Sequence, residues 1–294
     1  MLNKTMNNNI KLVASDLDGT IIDKKNNISD KNFKAIEKLH ENNIPFTICT
    51  GKSYAVSKKV CEKFNADFGI FGNGTQIIDF RNNKELYKKT LLKDDLIFIC
   101  TFAKRHKYHI HLYTENDIVS EKLEFMDLRN YKLKEQNSNT SLNFIIVENI
   151  FDYIMQNNLD VFSLVVSSTS HNLQKFKQLL SINNNIMCTF INKRGKFKDI
   201  IINKDYEYLN ISPNNINKYE ALSFLKSYLK IDKENIMAIG DNINDYEMVK
   251  HSGIGVAVSD SYDDLKNVAK YVTKTSVTDG AFAEAINKYI GNVQ

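Results

Sequence analysis

The chain has 294 residues, 43% hydrophobic and 25% charged, which excludes a disordered chain and leaves room for one large domain or two ordinary ones. Its net charge is +4, but 39 basic residues are scattered among 35 acidic ones, so no stripe for nucleic acid forms, and no apolar run approaches the roughly 18 residues of a membrane span. Cys49, Cys61, Cys100 and Cys188 lie far apart without CxxC pairing, which excludes a disulfide miniprotein, argues against zinc, and makes reduced thiols in a cytoplasmic setting the expectation.

Met1 to Asn9 is Asn-rich and lacks the apolar core of a secretory signal, so export by that route is not expected. The first element is a short β-prone run, Ile10 to Ser15, which breaks into Asp16-Leu17-Asp18-Gly19-Thr20. Ser29 and Asp30 are placed to cap a helix over Lys31 to Asn42, where Phe33, Ile36 and Leu39 recur at helical spacing. Ile44 to Cys49 reads as a second strand ending at Thr50-Gly51-Lys52-Ser53, with a helix over Tyr54 to Phe64. A repeated β-loop-α unit implies a parallel sheet.

Phe68 to Phe71 leads into Asn73-Gly74, a tight-turn dipeptide, and Gln76 to Asp79 returns as its hairpin partner. From residue 83 to 209 the pattern loosens. Strands are predicted at His109 to Tyr113, Asn143 to Val147 and Leu164 to Ser167, and helices at Lys93 to Arg105 and His171 to Leu180, without Gly-marked strand ends. After Ile211-Ser212-Pro213 the first pattern resumes with a helix over Asn217 to Leu229 and a strand over Ile236 to Ile239. Gly240-Asp241-Asn242-Ile243-Asn244-Asp245 then opens a helix, and Gly255 to Val258 and Tyr271 to Thr273 follow as strands. The expected organisation is an α/β core of residues 1–82 and 210–294, interrupted by an inserted α/β domain of residues 83–209. The many Asn residues are expected in loops, without chemistry of their own.

In a parallel α/β sheet, ligands bind beyond the carboxyl ends of the strands, where Asp16, Asp18, Thr50, Asp241 and Asp245 fall. Up to four carboxylates in one pocket repel one another unless a hard cation sits among them, and Mg²⁺ suits oxygen ligands. Thr50 with its following amides and Lys218 at a helix start add donors and a positive charge for an anion such as phosphate. Carboxylates, Mg²⁺ and phosphate donors together point to phosphoryl transfer.

These segments, Asp16-Leu17-Asp18-Gly19-Thr20, Thr50-Gly51-Lys52, Lys218 and Gly240 to Asp245, resemble in order and spacing the four motifs of the haloacid-dehalogenase-superfamily phosphatases. The long insert preceded by Asn73-Gly74 resembles the Cof-type branch, which implies a Rossmann-like core with an α/β cap. The resemblance implies that Asp16 is the nucleophile forming an aspartyl-phosphate and that Asp18 is the acid and base, its carbonyl also reaching the metal. It places Asp241 on Mg²⁺ beside Asp16, and Asp245 on a metal-bound water or Lys218. Thr50, Gly51, Lys218 and Asn244, with Leu17 and Asn73, are expected on the phosphate side. Lys52 stands where many relatives carry Arg, replacing a planar fork by a point charge.

The implied activity is hydrolysis of small phosphorylated metabolites, with sugar phosphates first and the cap choosing the leaving group. A phosphotransferase or phosphomutase using the same phospho-aspartate is the alternative. The only partner expected is this small-molecule substrate, with neither nucleic acid nor membrane involved and the protein a monomer or weak homo-oligomer. Within the insert, His109 and His111 suit either a second anionic group or the solvated face of a strand, and Arg129, Arg194 and Lys196 are further charged residues.

Overall fold

Leu12-Val13-Ala14-Ser15 carries no polar alternation, the pattern of a strand covered on both faces. In the computed structural model, which describes residues 9–25, 27–121, 143–191 and 206–291, it is the fully buried strand β1 (Leu12–Ser15). The chain divides by its contacts into two units. The first holds the described parts of Met1–Lys52, Lys59–Lys88 and Ile216–Gln294, and the second those of Ser53–Lys58 and Lys89–Asn215.

In the first unit β1 is joined by β2 (Phe46–Cys49), β3 (Phe68–Phe71), β4 (Gln76–Asp79), β5 (Lys84–Lys88), β12 (Ile236–Gly240), β13 (Ile254–Ala257) and β14 (Tyr271–Val272). They form one sheet in the order β14-β13-β12-β1-β2-β3-β4-β5. The pairs from β14 to β3 are parallel, and β4 and β5 continue antiparallel from β3. The chain moves outward from β1 through β2 and β3, then returns on the other side of β1 at β12, where Leu12 pairs with Ile236 and Ser15 with Ile239. The reversal of strand order therefore falls between β1 and β12, the place where such sheets open a crevice beyond their carboxyl ends.

Helix α6 (Lys218–Leu229) starts at Asn217, whose side chain accepts from the Glu220 N–H at 2.8 Å. It packs Ala221, Leu222 and Leu225 against Leu12, Ala14, Phe68, Ile70 and Ala238. Helix α1 (Asp30–Glu41) is capped by Ser29 and packs with α9 (Ala281–Ile290). Buried Asn32 joins them: its amide donates to the Ile21 carbonyl at 3.1 Å and accepts from the Ala283 N–H at 3.1 Å. A polar side chain in a core stays affordable when both its ends are satisfied in this way.

The second unit is built on a six-stranded sheet. Its strands are β6 (His109–Tyr113), β7 (Asp117–Ser120), β8 (Asn143–Ile146), β9 (Ser163–Thr169), β10 (Ile186–Phe190) and β11 (Tyr206–Pro213), in the order β10-β11-β9-β6-β7-β8. Every pair is antiparallel except β7 with β8. Helices α3 (Lys93–Arg105), α4 (Ile150–Asn157) and α5 (Ser170–Leu180) bring Leu96, Ile99, Ile154, Leu173 and Phe176 onto Leu112, Leu164, Val166, Leu209 and Ile211. Two expected boundaries move. Lys84–Lys88 pairs into the first sheet and Tyr206–Pro213 into the second, so by contacts the units change at Lys88 and Asn215, not at 82 and 209. The charged residues Lys84, Glu85 and Lys88 of β5 hid an edge strand, whose charged residues are exposed.

Among the described residues, eight non-glycine residues have positive φ, Asn43, Asn65, Asn73, Asn83, Asn158 and Asn215 among them. Asparagine adopts the left-handed region more readily than other side chains because its short amide bonds locally. The asparagine excess thus has a structural use in turns and caps. No helix among the described residues is long and apolar enough to cross a membrane. Arg129, Arg194 and Lys196 lie outside the described residues.

Candidate active site

Asp16 follows β1 directly, its N–H still bonded to the Ile239 carbonyl at 2.9 Å, so the sheet itself aims the side chain beyond the strand end. The next residues turn back sharply: the Ile21 and Ile22 amides donate to the Leu17 carbonyl, and Gly19 donates to Ile22. Gly19 holds φ +92, and a Cβ there would lie 2.3 Å from Asp241 Oδ2, so conformation and space both require glycine. Thr20 Oγ1 donates to Asp241 Oδ1 at 3.1 Å, a link from the first motif to the last.

Lys218 is the first residue of α6 and is fully buried. Its Nζ donates to Asp16 Oδ1 and to Asp245 Oδ1, both at 2.6 Å. Asp245 is also fully buried, and its Oδ2 accepts the Asp241 and Asn242 N–H groups at 3.1 and 3.0 Å, closing the turn after β12. Gly74 lets α6 approach: at φ +115, a Cβ would meet the Asn217 carbonyl at 2.8 Å. The Asn73-Gly74 turn is therefore part of what seats Lys218.

One oxygen from each of Asp16, Asp241 and Asp245 lies within 4.8 Å of the others. Burial, then repulsion by Asp245 and Asp18, raises the Asp16 carboxyl above its ordinary range against the pull of Lys218. Burial and the charges of Asp16 and Asp245 raise Asp241 in the same way. Burial disfavours the Lys218 ammonium, but Asp16 and Asp245 more than offset this, and its pKa is raised. Three carboxylates face one ammonium, a site with an excess of negative charge and room for a cation held by oxygen.

A second chain of contacts links the remaining residues. Thr50, at the end of β2, donates its N–H to the Ile70 carbonyl at 2.9 Å, and its Oγ1 accepts from the Lys52 N–H at 3.1 Å. The Asn73 N–H donates to the Thr50 carbonyl and the Gly72 N–H to that of Lys52, which fixes the Thr50-Gly51-Lys52 loop. Asn244 Nδ2 donates to Asn73 Oδ1 at 2.9 Å. Asp18 stands apart from the carboxylate cluster: Lys52 Nζ donates to its Oδ1 at 2.7 Å.

The structure thus brings buried Asp16, Asp245 and Lys218 and half-buried Asp241 into one cluster, and joins Thr50, Asn73 and Asn244 by hydrogen bonds. Sequence reading missed two contacts, Thr20 to Asp241 and Lys52 to Asp18. The first had a signal, since Thr20 closes the Asp16 motif. One histidine of β6 also differs from the solvated-strand reading. His111 is only 6% exposed, with Nε2 and the Tyr113 hydroxyl 3.2 Å apart, and burial lowers its pKa to about 4. It lies on no solvated face, and it is neutral at the pH where it would attract an anion.

Residues 13–286 match the sequence profile of the haloacid dehalogenase-like hydrolases. The chain is 29% identical over 292 residues to the 5-amino-6-(5-phospho-D-ribitylamino)uracil phosphatase YcsE of Bacillus subtilis strain 168, covering 96% of each protein. Among solved structures it resembles the phosphatase BT1666 of Bacteroides thetaiotaomicron with a TM-score of 0.77, at 20% identity over 98% of both chains. The subclass IIB sugar phosphatase BT4131 follows with a TM-score of 0.68, at 17% identity over 94% of this chain and 98% of that one. At these identities the structural likeness is one of fold.

Proposed function

The chain belongs to the haloacid dehalogenase-like hydrolase family, and from that premise we propose that it is a Mg²⁺-dependent phosphomonoesterase of small phosphorylated metabolites, sugar phosphates foremost. The observation that carries this reading is the buried Asp16 carboxylate, clamped by Lys218 and crowded by Asp241 and Asp245. A carboxylate so fixed keeps lone pairs free for attack but has little freedom to turn away from the site. The naming of the Bacillus relative for a phosphorylated ribityl compound supports a polyol or sugar leaving group.

The donor set suits Mg²⁺: all oxygen, clustered, and two charges more negative than its single ammonium balances. Asp16, Asp241 and the Asp18 carbonyl would hold it, while Asp245, with both oxygens already engaged, would orient Lys218 and the Asp241 turn. Bound there, the ion offsets the charge of the phosphate oxygens as the nucleophile approaches.

In the proposed sequence Asp16 attacks phosphorus in line and the bond to the ester oxygen breaks. Asp18 gives that oxygen its proton, then takes one from the water that hydrolyses the aspartyl-phosphate, freeing Asp16 and inorganic phosphate. Thr50, Gly51, Asn73 and Asn244, with Leu17 and Lys218, would receive the phosphoryl oxygens, the part common to every ester substrate. Phosphate release from a phosphometabolite panel with Mg²⁺, and without any acceptor, tests the reading against a mutase or transferase. Asp16→Asn should lower release at least about a thousandfold while the fold persists. Wild-type release that persists in chelator, or in Asp16→Asn, would sink it.

A further inference from the structure

The ion pair between Lys52 and Asp18 belongs to no role assigned so far. It joins the loop after β2 to the loop after β1 across 34 residues of sequence, at 2.7 Å. Both ends are anchored through the main chain. Lys52 donates its N–H to Thr50 Oγ1 at 3.1 Å and accepts from the Gly72 N–H at 2.9 Å. Asp18 sits in the turn closed by Gly19 on Ile22 and bridges to Ile22 itself. An ion pair on two loose loops is held by little more than its own attraction; here the backbone has already fixed the distance that the lysine stem must span.

We propose that Lys52 is a positioning residue for Asp18, orienting its carboxyl for proton transfer to the leaving group, and not a phosphate-binding residue. The inference rests on the phosphatase reading, in which Asp18 passes its proton to the ester oxygen as the phosphorus–oxygen bond breaks. Among the described residues only Oδ1 of Asp18 is engaged by a cation, so Oδ2 is the oxygen left to face the ester. A single ammonium contact does this, whereas a guanidinium fork is built to take both oxygens of a carboxylate. The environment fits the role as well: the side chains of Lys52 and Asp18 are 33% and 44% exposed, open to an arriving substrate.

The two roles differ in what they make the rate depend on. A group that binds the phosphoryl oxygens serves every ester equally, because that part of the substrate is common. A group that acts through the acid matters only where the leaving oxygen needs a proton. The test compares kcat/KM for an alkyl ester, glycerol 3-phosphate, with that for p-nitrophenyl phosphate, whose leaving group departs unprotonated.

Lys52→Met should lower the alkyl rate about thirtyfold, part of the 10²–10⁴ that general acid catalysis supplies, and the aryl rate less than about threefold. Lys52→Arg, which keeps a cation in reach but can take both oxygens of Asp18, should restore the alkyl rate only in part. In an Asp18→Ala background, Lys52→Met should cost nothing further on the alkyl ester, since the two residues act as one unit. The alkyl-to-aryl ratio is independent of how much enzyme is folded, so a destabilised variant still reports. Equal losses on both esters would assign Lys52 to the phosphate and overturn the proposal, as would no loss on either or additive losses with Asp18→Ala. If the wild-type protein hydrolyses neither ester nor any of the panel, the phosphatase reading falls first, an outcome distinct from all of these.

Discussion

The carboxylate cluster beyond β1 and the histidine on β6 are both titratable groups buried against a sheet, and they are pushed in opposite senses. Burial raises the carboxyls of Asp16 and Asp241 and lowers the imidazole of His111, in each case against the charged form. Burial alone therefore does not mark a site. At His111 it acts by itself, and the result is a neutral ring in a packed face. At Asp16 it acts together with repulsion from neighbouring carboxylates, which a protein core does not keep without something to hold.

The largest effect is expected on removing the cation that the cluster already has. Lys218→Met leaves three crowded carboxylates without a counter-charge, and its metal-free form should lose about 3–5 kcal/mol in urea unfolding at pH 8. At pH 5 the loss should shrink, because the freed acids take up protons. An equal loss at both values would mean that the carboxyls are already protonated and repel little.

The metal provides the next contrast. A carboxyl whose folded pKa is raised binds protons more tightly in the native state than in the unfolded chain, so stability falls as pH climbs from the ordinary value of 3.8 through the raised one. Without metal, the contribution of Asp16 and Asp241 should decline over that window, and Mg²⁺ should reverse the decline. The rise in Tm on adding Mg²⁺ should thus be larger at pH 8 than at pH 5, by several degrees. A Tm increment that is flat with pH would separate Mg²⁺ binding from these two acids.

His111 should show the opposite sign. With its folded pKa near 4 against an ordinary 6.5, the unfolded chain binds the proton first, and stability is lost as pH falls through that interval. The unfolding midpoint of His111→Phe should depend less on pH between about 6.5 and 4 than that of the wild type, with a difference of at most about 3 kcal/mol. Curves that stay parallel would mean the imidazole is charged in the fold. The smallest effect is expected at Lys52. Its pair with Asp18 is about as short as those of Lys218 but partly exposed, so Lys52→Met should change stability by less than about 1 kcal/mol. A larger loss would make that bridge a structural one.

What could be read from the sequence follows the same division. Asp16 to Thr20, Thr50 to Lys52 and Gly240 to Asp245 stand at strand ends and combine residue types that turns alone do not need, so the parallel sheet and the cluster beyond it were legible. Lys84–Lys88 and Tyr206–Pro213 were not, since both strands mix charged or polar residues with apolar ones and their place depends on which sheet they join. His111 was misjudged because alternation along β6 suggests two faces but does not say that both are covered. The Lys52 to Asp18 pair had no signal at all. A lysine's reach is set by where its loop is fastened, and here Gly72 and Thr50 fasten it.

The order of strands carries a consequence for how the molecule comes into being. β1 lies between a strand made soon after it and one made only after the second unit, so one edge of the central strand waits through the whole of the second unit's synthesis. The bond from Lys218 to Asp16 closes a loop of 202 residues, and that from Thr20 to Asp241 one of 221. Such distant partners are met late and slowly in folding. A nascent chain can complete the second sheet while the first still has an open edge, and its carboxylates gather only when the last segment docks, so no truncated product ending within the second unit carries the assembled centre.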